Sequence, residues 1–148
     1  GMKELARMAD VLTPNLTEAC SLLDLDYRSD FYRQELEDII DALVDPGPGK
    51  AVISGLEMDD QVFNLALEKG RKPSWIATKK VLPFRHGTGD VFTSILAGDA
   101  VKKLDFYQSV AKAAAFIHDC LLVSDKLEVP MEDGVAFEEI LGQLTDQN

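Results

Sequence analysis

Residues 84–101 read FRHGTGDVFTSILAGDAV. Gly87 and Gly89 flank Thr88, and Asp90 opens an apolar run that predicts a helix over residues 90–103. A helix leaves its first N–H groups without partners, and its dipole adds positive potential there. Glycines let the backbone come close to a ligand's oxygens. Gly87, Thr88 and Gly89 can therefore form an anion hole of main-chain donors that holds a phosphate without a lysine. The same potential keeps the Asp90 carboxylate ionised. An ionised carboxylate beside an anion hole can take the proton of an attacking hydroxyl, the pairing that phosphoryl transfer requires. Gly-Thr-Gly-Asp is also the sequence of a tight turn followed by a helix-capping aspartate, so the tetrapeptide alone leaves both readings open.

A second motif lies upstream, in VLTPNLTEA at residues 11–19. ADVLTP, residues 9–14, reads as a short strand stopped by Pro14, and NLTEACSLLD follows with helical spacing at Leu16, Ala19, Cys20 and Leu23. Asn15 is a good N-cap, with Glu18 at the capping-box position. The functional alternative places Asn15 and Glu18 at the C-terminal end of a strand, where open α/β sheets bind ligands. There Glu18 can hold Mg²⁺, directly or through water, beside a nucleotide.

The rest of the chain alternates helix and strand patterns. Residues 2–9 read as the end of a helix. Asp30 begins another, with Tyr32, Leu36, Ile39, Ile40 and Leu43 as its buried stripe, and DPGPG at 45–49 ends it. KAVISG, residues 50–55, is an apolar strand of the kind buried on both faces. QVFNLALEKG and SWIATKKV predict an antiparallel pair. A helix over 105–122, with Asp105 and Gln108 as a capping box, presents Phe106, Val110, Ala113, Ala114, Ile117 and Leu121 inward. A last helix is expected from about Val135 to Leu144, with Phe137, Leu141 and Leu144 on one side. This mixture predicts a layered α/β fold in a single domain over residues 2–148, with Gly1 an expression remnant. About four strands are few for a sheet covered on both faces. Their apolar character predicts an open edge that a homodimer or larger assembly would cover.

Composition narrows the function. The net charge of −11 excludes a surface built for nucleic acid, while leaving room for a small anion held by backbone groups. No apolar run reaches the length of a membrane span, so no membrane role is expected. Cys20 and Cys120 stand far apart in no metal or redox pattern. They read as buried free thiols, which suits a cytoplasmic protein. His86 and His118 are too isolated for a zinc site.

Together the motifs resemble the ribokinase-like superfamily, and within it the vitamin B6 (pyridoxal, pyridoxine and pyridoxamine) kinases. TPNLTEA is similar to that group's Thr-Pro-Asn-x-x-Glu segment and GTGDVF to its Gly-Thr-Gly-Asp motif, with KAVISG between them. EDGVAFEEIL near the end resembles the tail of bacterial pyridoxamine kinases. The resemblance implies the C-terminal part of a three-layer αβα fold and ATP-dependent phosphorylation of a B6 vitamer's hydroxymethyl group. It gives Asp90 the part of catalytic base and makes Gly87, Thr88 and Gly89 the anion hole. Asn15 and Glu18 would organise Mg²⁺, and Thr13, Ser54 and Gly55 would line the nucleotide site. Lys79, Lys80 and Arg85 read as solvated surface charges outside the site. His86 either narrows the approach or points to solvent. The family's N-terminal part, which carries most contacts to the vitamin ring, has no counterpart in these residues. A non-catalytic nucleotide-binding or self-associating remnant and a phosphomethylpyrimidine kinase relative are therefore the alternatives.

Overall fold

The computed structural model describes residues 1–45 and 47–145; the side chains of Met2, Arg7 and Glu132 lie outside that description, as does Pro46 of the DPGPG stretch. The elements run α1 (Met2–Met8), α2 (Leu16–Leu22), α3 (Arg33–Val44), β1 (Lys50–Met58), β2 (Gln61–Glu68), β3 (Ser74–Lys79), α4 (Thr88–Val101) and α5 (Phe106–Lys126). Two 3-10 segments follow, Met131–Asp133 and Glu138–Leu144. The three strands form an antiparallel sheet in the order β1-β2-β3.

The stretch ADVLTP is extended but is not a full strand. It pairs in parallel with β1 through isolated bridges, Leu12 with Ala51 and Asn15 with Ser54. The Leu12 N–H donates to Lys50 O (3.0 Å), Val52 N–H to Leu12 O (2.8 Å) and Ser54 N–H to Pro14 O (2.9 Å). The bond that would complete the ladder needs an N–H on Pro14, which proline lacks. Three strands and one bridged segment thus replace the four strands expected.

The chain divides into two compact units. The first comprises residues 1–58 and 62–76, the second residues 59–61 and the described residues from 77 onward. In the first unit, Leu36, Ile39, Ile40 and Leu43 of α3 pack with Ala19 of α2 against Ala51, Ile53, Leu65 and Leu67 of the sheet. Ala51, Val52 and Ile53 are all fully buried, so successive side chains on opposite faces of β1 are both covered. Tyr32 does not join this stripe. It is 78% exposed, because α3 begins at Arg33 rather than Asp30. The Glu35 carboxylate accepts the Tyr32 N–H at 2.8 Å, which fixes Tyr32 as the N-cap. On the far strand, Trp75 meets Phe63 edge-to-face at 5.9 Å, and its indole N–H donates to Glu37 at 2.7 Å.

In the second unit α4 and α5 pack together. Phe92, Ile95 and Leu96 are buried on α4; Phe106, Val110, Ala113, Ala114, Phe116 and Cys120 are buried on α5. Asp105 caps α5, accepting the Gln108 N–H at 3.0 Å. The helix runs four residues beyond the expected end, to Lys126. Ile117 and Leu121, expected inside, are only partly buried, while Phe116 and Cys120 take the inner positions. The expected last α-helix is a 3-10 segment with no buried residue. Its bonds span three residues, as from Ile140 N–H to Phe137 O at 3.2 Å.

Candidate functional site

The first unit holds the upstream motif. Asn15 caps α2: its Oδ1 accepts the Glu18 N–H and the Glu18 Oε2 accepts the Asn15 N–H, both at 2.9 Å. This is the reciprocal capping box, so the helix end satisfies two of its own donors. Asn15, Ser54 and Gly55 line one cavity of about 550 Å³, together with Tyr27 and Arg33. Segment 11–15 and β1 run parallel, so both of their C-terminal ends open on this cavity. Thr13 and Glu18 do not line it. Arg33, whose guanidinium stacks 4.4 Å from the Trp75 ring, brings a cation to its wall. Sequence reasoning missed Arg33, since an arginine opening an amphipathic helix reads as a solvated charge. Among the described residues no group of three or more His, Cys, Asp or Glu is placed to hold a metal. Glu18, exposed beside Asn15, is a single carboxylate donor. That fits a cation held mainly by phosphates and water rather than a closed protein cage.

The second unit holds the Gly-Thr-Gly-Asp motif, and here the helix end stays open. Gly87 is the N-cap of α4, with φ 85° and ψ −8°, a left-handed conformation that costs a side-chain-bearing residue energy. Its carbonyl accepts the Val91 N–H at 3.1 Å, the first bond of the helix. The N–H groups of Thr88, Gly89 and Asp90 belong to the first turn, which has no intrahelical acceptors. Gly87 has no side-chain oxygen with which to cap them. The helix therefore starts two residues before Asp90, and Asp90 is its third residue rather than its cap. The Asp90 side chain is exposed and makes no hydrogen bond or ion pair with a described residue; its carbonyl accepts from Ser94 Oγ at 2.8 Å. Gly87 and Asp90 line one cavity of about 570 Å³, which continues past Ser94 and Ile95 to Phe116. Its lining includes an ion pair, Lys112 Nζ to the buried Asp99 Oδ1 at 2.6 Å, with Lys112 partly exposed. The second oxygen of Asp99 is buried with no partner among the described residues. Thr88 and Gly89, the first two residues of α4, do not line the cavity.

His86 is exposed. Lys79 is exposed, and Lys80 lies 5.4 Å over the Phe84 ring. Arg85 departs from expectation: it is not a surface charge but is buried at 8% exposure, held by main-chain carbonyls. The cysteines are free and buried as expected, and burial pushes the Cys120 thiol up to about 11.

Residues 1–135 match the sequence profile of the phosphomethylpyrimidine kinase family, and the chain belongs to that family. A crystal structure of a candidate phosphomethylpyrimidine kinase from Bacteroides thetaiotaomicron is 28% identical and superposes over 97% of this chain and 50% of its own, with a TM-score of 0.92. Pyridoxal kinase from Lactobacillus plantarum is 21% identical, over 98% of this chain and 52% of its own, with a TM-score of 0.86. Pyridoxal kinase from Staphylococcus aureus, solved with AMP-PCP, is 23% identical over 81% of this chain and 44% of its own, with a TM-score of 0.72. No curated protein sequence matches significantly. The architecture is thus part of the ribokinase-like fold, and the chain spans about half the length of the structures it matches. No described helix is long and apolar enough to cross a membrane.

Proposed function

We propose that the chain carries the nucleotide side and the catalytic base of an ATP-dependent kinase acting on the hydroxymethyl group of a B6 vitamer. The observation that carries this reading is the open start of α4, where the Asp90 carboxylate, with no partner among the described residues, stands in the same turn as N–H groups that have no described acceptor. Thr88, Gly89 and Asp90 N–H groups would receive the transferred phosphoryl oxygens, and Asp90 would take the proton of the attacking hydroxyl. Asn15, Ser54, Gly55 and Thr13 would hold the nucleotide. Glu18 with Asn15 would orient Mg²⁺, which when bound neutralises charge on the phosphates. The Staphylococcus aureus relative, solved with AMP-PCP and with pyridoxal, supports both ligand classes. So does the Bacteroides relative solved with pyridoxal. The acceptor pocket would be completed by polypeptide outside these residues, from the same chain or from a homo-oligomeric partner.

The family profile itself favours a second reading, phosphorylation of a pyrimidine carrying a hydroxymethyl group or its phosphate. The experiment is a phosphorylation assay with Mg-ATP and pyridoxal, pyridoxine, pyridoxamine or hydroxymethylpyrimidine in parallel, with calorimetric ATP binding on the same sample. Transfer to a B6 vitamer supports the first reading, and transfer to the pyrimidine alone replaces it with the second. ATP binding without transfer leaves a nucleotide-binding half-site, and absence of both removes the kinase reading.

A further inference from the structure

Arg85 sits two residues before Gly87 and is 8% exposed. A buried guanidinium is costly unless its donors are met. Here they are met by carbonyls alone. Nη1 donates to Val129 O at 2.6 Å, Pro130 O at 3.1 Å and Gly134 O at 3.3 Å, and Nη2 to Ser124 O at 3.5 Å. Nη1 has two hydrogens for three acceptors, so the carbonyls converge on one cation. Ser124 lies in the last turns of α5, where the helix dipole favours positive charge. Arg85 therefore ties the entry of α4 to the exit of α5 and to the segment 129–134 that follows it.

Two further contacts hold the same segment in place. Gly134 has φ 77°, and a Cβ there would stand 3.2 Å from the carbonyl oxygen of His86, the residue directly before Gly87. The Ser124 hydroxyl, fully buried, donates to Cys120 O at 2.7 Å and accepts the Ala136 N–H at 2.8 Å. Residues 129–136 thus form a strap whose carbonyls grip Arg85 and whose backbone passes against His86.

We propose that Arg85 is a positioning residue for the Gly87–Asp90 turn: through the strap, it fixes the direction in which the first N–H groups of α4 point. This deepens the phosphate-binding reading and rests on it. A polar group clamped at one end of a short turn restricts the backbone torsions of the residues that follow. Donors set in advance bind an anion without an ordering cost at the moment of binding. A lysine would keep the charge but would lose the planar fork that reaches Ser124 and the strap together.

The test uses the full chain, Arg85→Met, Arg85→Lys and Arg85→Ala. Amide hydrogen exchange is read at residues 91–93, the first bonded amides of α4, where Val91 N–H donates to Gly87 O, and across the middle of α5 and in β2, with calorimetric binding of Mg-ATP alongside. In Arg85→Met, exchange at 91–93 should rise about tenfold while β2 and mid-α5 stay unchanged. Mg-ATP binding should weaken by about tenfold, with Arg85→Lys between the two. Millimolar guanidinium should restore binding to Arg85→Ala, which leaves a cavity of that shape. Unchanged exchange at 91–93, or a uniform rise through α4 and α5, would overturn the proposal by making Arg85 a general stabiliser. Should the unmodified chain fail to bind Mg-ATP, the kinase reading falls, while the exchange pattern still decides what Arg85 does.

Discussion

The N-termini of α2 and α4 begin with motifs of equal length and opposite outcome. At α2, side chains close the helix end: Asn15 and Glu18 exchange two hydrogen bonds of 2.9 Å with each other's backbone. At α4, a glycine in the left-handed region starts the helix with no side chain to close it, and the Asp90 side chain has no partner among the described residues. A capped end has spent its donors on stability; an uncapped end keeps them for a ligand. The contrast teaches that an acidic residue near a helix start means little until its partners are known. Glu18 bonds back onto its own helix start, while the Asp90 side chain has no partner among the described residues.

The largest effect that would sharpen this contrast comes from Asp90→Asn. It should lower phosphoryl transfer by about a thousandfold or more, with ATP affinity nearly unchanged. Steady-state turnover and calorimetry measure the two, and equal loss of both would remove Asp90 as base. Next, Lys112→Met leaves the Asp99 carboxylate buried and uncompensated beneath the same cavity. A loss of about 3 kcal/mol in urea unfolding is expected, and stability within about 0.5 kcal/mol of the parent would contradict the pairing. Gly87→Ala places a Cβ at φ 85° and should cost about 1 kcal/mol; the Mg-ATP dissociation constant should rise with it. At the closed end, Asn15→Ala removes a cap and should also cost about 1 kcal/mol in unfolding. Because Asn15 is also proposed to hold the nucleotide, Mg-ATP binding should weaken in the same variant; stability unchanged in Asn15→Ala would contradict the closed end and undo the comparison.

Much of this was legible in the sequence. The spacing of Leu36, Ile39, Ile40 and Leu43 marked the buried face of α3, and Asn15 with Glu18 announced the capping box now seen. Two glycines around a threonine left an open helix start and a capping aspartate equally readable, and the helix begins at Thr88, two residues earlier than its apolar run suggests. What the sequence hid depends on partners far along the chain. Arg85 bonds carbonyls 39 to 49 residues away, and nothing in its neighbours signals that burial. The 3-10 form of Glu138–Leu144 follows a strap anchored to Ser124, which helical periodicity cannot report. A proline at position 14 reads as a strand terminator, yet its missing N–H only interrupts pairing that resumes at Asn15.

A smaller effect concerns pH. Burial raises the Cys120 thiol to about 11, so the folded chain holds that proton more tightly than the unfolded one. Its contribution to stability is full below the ordinary thiol range and is lost as pH rises from there toward 11. Cys120→Ala should flatten stability across that alkaline interval alone. A flattening below neutral pH would contradict the assignment.

The central claim is that α4, not α2, offers free donors to a phosphate. Amide resonances of the full chain titrated with Mg-ATP test it most directly. The account predicts saturable shifts at Thr88, Gly89 and Asp90 that exceed those at Leu16, Thr17 and Glu18. Unmoved resonances at Thr88, Gly89 and Asp90 under saturating Mg-ATP would contradict it.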